Sequence, residues 1–339
     1  MEDAISWANN FIRDALANIL PRIFAGKCRS KARLDKKVVI ITGSNAGLGR
    51  LTAQELFKRG ARVIMACRNL NKANEAAAEI RKDLASFKNT GELVPRELDL
   101  ASFRSIRACA EEILTTEQEI HLLVNNAGLL CSRELTEDGH EKQFGVHYLG
   151  HFLFSQLLLP RMLNSAPARI VNVTSLVYVF GDGDLHFEDM TLEHSYEPLH
   201  AYARSKLAII LFTKELARRL AGFASTDFMR NYENAYSLRI RKIMESRLMK
   251  LIQKNTWQGT QSILHCCLQE GIEKENGHYF SNCRPIKPLK RARNEKTAKL
   301  LWDFSWDAVP TSEPVSKVSA LDRNKVDAIC IGRKQDKSG

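Results

Sequence analysis

The chain has 339 residues, 44% of them apolar, and carries 50 lysines and arginines against 39 acids, a net charge of +11. That length suffices for one large α/β core without division into two domains. The cations are scattered and no zinc-finger spacing or base-stacking motif accompanies them, so the charge does not point to nucleic acid. An anionic membrane surface or bound phosphate groups account for it more simply. Cysteines at 28, 67, 109, 131, 266, 267, 283 and 330 form no C-x-x-C and no metal-ligand spacing. A reduced, cytosol-facing protein without a metal site is expected.

The first element is amphipathic. Ala4, Ile5, Ala8, Phe11, Ile12, Leu16, Ile19, Leu20 and Ile23 recur at helical spacing, with Asn9, Asn10, Arg13, Asp14 and Asn18 opposite. Glu2 and Asp3 argue against a signal peptide, and the stretch is too polar to span a bilayer. Lys27, Arg29, Lys31, Arg33, Lys36 and Lys37 follow. Residues 1–35 thus read as a helix and a basic linker. The helix fits an interfacial membrane segment with a polybasic flank, and equally a helix packed on its own domain or on a second subunit. On the first reading the protein is peripheral on the endoplasmic reticulum membrane.

From residue 36 to 308 strands and helices alternate. Val38 to Ile41 is a buried strand running into a glycine turn, and a helix from about Arg50 to Arg59 is closed by Gly60. Arg62 to Cys67 is a strand, Asn71 to Phe87 a helix, Leu93 to Leu98 a strand and Phe103 to Thr116 a helix. His121 to Val124 is a strand ending at Asn125-Asn126-Ala127-Gly128, Thr136 to Leu163 a long helix, and Arg169 to Val173 the fifth strand. Such units predict a single α/β domain, a Rossmann-type doubly wound parallel sheet with ligands at the carboxyl ends of its strands. Residues 309–339 read as a flexible tail, although Val326 to Ile331 is strand-like.

Two motifs carry chemistry. Thr42-Gly43-Ser44-Asn45-Ala46-Gly47-Leu48-Gly49 lies between a strand and a helix, where backbone amides can approach a pyrophosphate. About nineteen residues further on, where a carboxylate would accept the ribose hydroxyls of NAD, stand Cys67 and Arg68. A guanidinium there suits a 2′-phosphate, hence NADP(H). Tyr202 and Lys206 stand at i, i+4 on a helix. A lysine so placed stabilises a phenolate and lowers a tyrosine pKa that is ordinarily about 10.

Together with Asp99-Leu100, NNAG at 125 to 128 and Ser175, these motifs resemble the short-chain dehydrogenases/reductases. MACRN, GVHYLGHFLFSQLLLP, RIVNVTS, AYARSKLAIILFTKELARRL, WQGTQSILHCCLQEG and GHYFSNC are in the style of the retinol dehydrogenase branch. The resemblance spans about residues 36 to 306 and implies an oxidoreductase interconverting a lipophilic alcohol and its aldehyde or ketone, with retinol/retinal as the pair. It implies Tyr202 as general acid/base, Lys206 as its partner and a ribose ligand, and Ser175 as the hydroxyl that fixes the substrate oxygen. Gly43, Ser44, Asn45, Gly47, Leu48 and Gly49 would wrap the pyrophosphate, and Arg68 would meet the adenosine phosphate. Asp99 and Leu100 would flank the adenine, and Asn126, Ala127 and Gly128 its ribose. It also implies a homodimer paired through helices near residues 140–160 and 200–220.

Two departures follow. His147 stands where the family has an asparagine that anchors a relay water, which makes the histidine a candidate catalytic group. After the Tyr-Lys helix the expected sixth strand and Pro-Gly turn look to be missing, since Thr226-Asp227-Phe228 resembles the segment beyond that turn. An empty central slot leaves backbone groups unpaired, so a catalytically impaired, nucleotide-binding scaffold of the same fold stands as the alternative. Between Ser175 and Tyr202, the apolar Leu176, Val177, Tyr178, Val179, Phe180, Phe187, Met190 and Tyr196 suit a wall for a lipophilic substrate.

Overall fold

A computed structural model describes residues 26–220, 224–229 and 256–309, with 224–229 described by backbone alone. The expected N-terminal helix and the strand-like stretch of the tail lie outside the described residues.

Strands β1 (Val38–Thr42), β2 (Arg62–Cys67), β3 (Glu92–Glu97), β4 (Leu122–Asn125), β5 (Arg169–Thr174), β6 (Ala224–Met229), β7 (Tyr279–Ser281) and β8 (Arg284–Ile286) form one sheet. Its order is β3-β2-β1-β4-β5-β6-β7-β8, parallel except for β8. The order reverses between β1 and β4, which opens a crevice at the carboxyl ends of those two strands. β1 is buried at all five positions, as its unbroken run of branched aliphatics requires of a strand covered on both faces.

The helices are α1 (Gly47–Lys58), α2 (Leu70–Asp83), α3 (Phe103–Thr116), α4 (Gly150–Asn164), α5 (Pro198–Arg219), α6 (Thr256–Leu268) and α7 (Glu295–Ala308). The helix expected from Thr136 begins later. Gly139 takes a positive φ of 81°, Leu135 bridges Glu141, and the Glu141 carboxylate caps Gln143 and Phe144. A turn at Lys142–Phe144 then passes through a π-helical segment, Gly145–Leu149, into α4.

The sixth strand is present, which corrects the expectation of a gap. Ala224–Met229 pairs in parallel with β5 from Arg169↔Ala224 to Thr174↔Met229, and β7 joins its other edge at Asp227↔Tyr279. Its sequence is a weak strand former. What places it there is the slot: without it β5 and β7 would bury unpaired amides and carbonyls. The segment read as following a Pro-Gly turn is therefore the strand itself.

α7 packs on the helices through which a homodimer is expected to form. Residues 143–159 and 201–213 are buried. Trp302 and Trp306 meet the Phe152 ring at 5.4 and 5.5 Å, and Trp302 stacks on Phe212 at 6.1 Å. Burial pushes the Tyr148 phenol upward, against a hydrogen bond to Ser305 of α7.

Candidate active site

The glycine turn has the geometry of a phosphate cradle. Gly43 and Gly47 take φ of 64° and 55°, a region that costs other L-residues strain. A Cβ on Gly47 would meet nothing within 4 Å, so the turn is open there, whereas one on Gly49 would lie 2.4 Å from the Gly43 carbonyl. Ala46 precedes α1 without a side-chain cap, and no acid stands in the first turn. Those amides are left for an anion. By contrast Asn69, Ser102 and Glu197 cap α2, α3 and α5. The residues thus fit a dinucleotide's pyrophosphate.

Arg68 is exposed at the end of β2. Cys67 beneath it is buried, its Sγ 3.5 Å from Ser44 Oγ, and burial raises its thiol pKa against the hydrogen bonds of the Ser44 side chain and turn amides. Asp99 Oδ1 accepts from the Ala101 amide, and Leu100 is buried. Asn126 Nδ2 donates to the carbonyls of Thr42 and Gly43 at 2.8 and 3.2 Å, which ties the NNAG loop to the glycine turn. Ala127 packs on Gly43, and Gly128 is half-buried.

On the other side of the crevice Tyr202, Lys206 and Ser175 are all buried. Lys206 Nζ lies 5.4 Å from the centre of the Tyr202 ring and donates to the Val173 carbonyl at 3.3 Å, at the end of β5. Thr174 Oγ1 donates to the Lys206 carbonyl, which fixes α5 to the strand that delivers Ser175. Ser175 Oγ accepts from the Val177 amide at the start of a 3-10 turn, Leu176–Phe180.

His147 meets the Tyr202 ring edge-on at 5.2 Å. Its Nε2 accepts from the Leu129 amide at 2.8 Å, so the proton sits on Nδ1, which donates to Ser205 Oγ at 2.7 Å. Ser205 in turn donates to the Tyr202 carbonyl at 2.7 Å. Both ring nitrogens are thus bonded to protein groups, which ties the helix of Tyr202 to the segment after β4.

A second histidine was not anticipated. Thr42 Oγ1 accepts from the amides of Asn126 and Ala127, each at 2.9 Å, so its own proton points to His151 Nε2 at 2.8 Å. His151 Nδ1 then donates to the His147 carbonyl at 2.9 Å. The chain of bonds runs from the glycine turn through two imidazoles to the helix of Tyr202 and Lys206. The i, i+4 spacing of the histidines was visible in the sequence; the partners, 109 and 58 residues away, were not.

The family description "short chain dehydrogenase" matches residues 37–185. Human retinol dehydrogenase 12 is 45% identical over 296 residues, covering 86% of this chain and 92% of the relative. Human retinol dehydrogenase 11 is 42% identical over 298 residues, with the same coverage of 86% and 92%. Among solved structures, an uncharacterized protein from Mycobacterium paratuberculosis superposes with a TM-score of 0.67 at 30% identity, covering 86% of this chain and 100% of that one. Fold and site define a dehydrogenase of the Rossmann type, a class that works with nicotinamide cofactors. The chain belongs to the short-chain dehydrogenase/reductase family, on its retinol dehydrogenase-like branch, and is an oxidoreductase.

Proposed function

We propose that the protein interconverts a lipophilic alcohol and its aldehyde or ketone with NADP(H), retinol and retinal being the first pair to test. The observation that carries this reading is the buried Tyr202–Lys206–Ser175 group beside an open glycine cradle with Arg68 at its rim. A bound nicotinamide supplies or accepts the hydride. In the reducing direction Tyr202 gives its phenolic proton to the carbonyl oxygen, and Ser175 donates a hydrogen bond to the same oxygen as charge develops on it. Lys206 supplies positive charge near the resulting phenolate. In oxidation the same proton returns to Tyr202. With the sixth strand in place, the scaffold alternative loses its structural ground.

The substrate side supports a lipophilic ligand. Leu176, Val179, Phe187 and Met190 are half-buried, and Phe180 keeps 40% of its surface exposed, on the segment between Ser175 and α5. Purified protein supplied with retinal should consume NADPH and form retinol in equal amounts. Folded protein that binds NADPH yet reduces neither retinal nor any shorter lipophilic aldehyde would refute the assignment.

Arg68 carries the cofactor preference. A charge-assisted phosphate contact contributes about 1.5–3 kcal/mol, so Arg68→Asp should weaken NADPH binding by about 10- to 150-fold. NADH binding should change little in the same fluorescence titration. Equal losses for both cofactors would remove Arg68 from the 2′-phosphate site.

The basic linker supports a membrane-surface partner. Residues 26–35 lie extended on the domain: Cys28, Ser30, Ala32 and Leu34 face inward, and Lys27, Arg29, Lys31 and Arg33 are exposed. Ser30 Oγ donates to the Leu268 carbonyl and the Leu34 amide to that of Arg59, which holds the stripe in place. Among the described residues no helix is long and apolar enough to cross a membrane. Replacing Lys27, Arg29 and Lys31 by Glu should cut binding to phosphatidylserine vesicles, at about 1 kcal/mol for each cation lost near the surface. Cosedimentation unchanged by the triple substitution would argue against this face.

A further inference from the structure

The 22 residues between Ser175 and Pro198 leave the site, run over the surface and return to α5. A side chain of α5 bonds to their middle. Arg204, 4% exposed, lies two residues from both Tyr202 and Lys206, so it projects from the opposite face of α5. Its Nη1 donates to the carbonyls of Leu185 and Asp189 at 3.4 and 3.5 Å, and its Nη2 to that of Met190 at 3.0 Å. Nη2 also lies 3.5 Å from Oε2 of Glu141, which is wholly buried and caps the turn leading into the π-helical segment. The guanidinium carbon stands 4.9 Å from the centre of the Phe144 ring.

We infer that Arg204 is a positioning residue that sets the shape of the substrate wall, clamping the Leu185–Met190 stretch to the catalytic helix and to the π-helical segment. This rests on the proposed carbonyl–alcohol chemistry. A buried guanidinium bonded to three main-chain carbonyls fixes backbone, not merely side chains. A planar fork spreads its donors over acceptors on both sides of the group, whereas a lysine's three donors all radiate from one nitrogen. The clamp acts on Leu185–Met190 and leaves the hydride and proton steps alone. Its loss therefore shows in the binding of a long substrate, with the cradle for the cofactor on the far side of the sheet crevice untouched.

The test compares Arg204→Lys with Glu141→Gln, which keeps every carbonyl contact. Arg204→Lys is expected to raise KM for retinal at least tenfold, with kcat on a short aliphatic aldehyde and NADPH affinity each within about threefold of the parent. Hydrogen exchange of the amides from 182 to 193 should quicken at least tenfold in this variant and stay near the parent rate in Glu141→Gln. Equal KM changes in both variants, a loss on short and long substrates alike, or failure of Arg204→Lys to fold would overturn the inference. A parent enzyme inactive on retinal would instead strike the functional reading. The exchange measurement then still decides whether the clamp exists.

Discussion

Tyr202→Phe should lower turnover by about 10²- to 10⁴-fold, the range that a positioned general acid contributes, while leaving NADPH affinity near that of the parent. The substitution removes one oxygen from a buried ring. The bond from Ser205 goes to the Tyr202 main chain. Lys206 keeps its hold on the Val173 carbonyl, so the end of β5 and the Ser175 loop stay where they are. The loss should fall on kcat, because the proton transfer is made only in the transition state. Steady-state kinetics with retinal, beside a cofactor titration, check it. Turnover retained within about tenfold, well short of the range expected for a general acid, would mean that another group protonates the substrate oxygen.

The half of the molecule that faces the nucleotide was legible because local pattern and fold agree there. Val38 to Thr42 is apolar at four of its five positions and is buried at all of them, and the glycines that follow can adopt the positive φ that the turn needs. The proposed acid/base pair could be picked out because its two members are helical neighbours. What was hidden is set by distance in the sequence. Ala224–Met229 does not read as a strand, and it becomes one because β5 and β7 leave a single-strand slot between them. The covering of α4 and α5 depends on Trp302 and Trp306 meeting Phe152, about 150 residues earlier, and no periodicity announces it. The His147 ring could be placed from the motif order, but its bonds to Leu129 and Ser205 could not.

The glycines of the cradle should separate folding from binding. Gly49→Ala puts a methyl 2.4 Å from the Gly43 carbonyl, 2.6 Å from Asn126 Nδ2 and 2.9 Å from Ser44 Cα, where two of the three neighbours are backbone. Something must shift, and the group that can shift is the Asn126 amide that joins the NNAG loop to Thr42 and Gly43. Overpacking of this kind costs about 1–3 kcal/mol, and Gly49→Ala should lower the melting temperature of the cofactor-free protein as well as its NADPH affinity. Gly47→Ala meets nothing within 4 Å and carries only the strain of a φ of 55°. That strain is about 1–2 kcal/mol at most, so its unfolding midpoint should fall by less than that of Gly49→Ala. Its methyl nevertheless stands on the open side of the turn, at the first residue of a helix whose amides have no other cap, so NADPH affinity should fall sharply there too. Thermal melts with and without NADPH read both quantities. The cofactor should raise the parent's midpoint strongly and that of Gly47→Ala weakly, from similar starting values. Full stabilisation of Gly47→Ala by NADPH would place the pyrophosphate elsewhere, since a ligand drawn in against those amides cannot share their space with an added carbon.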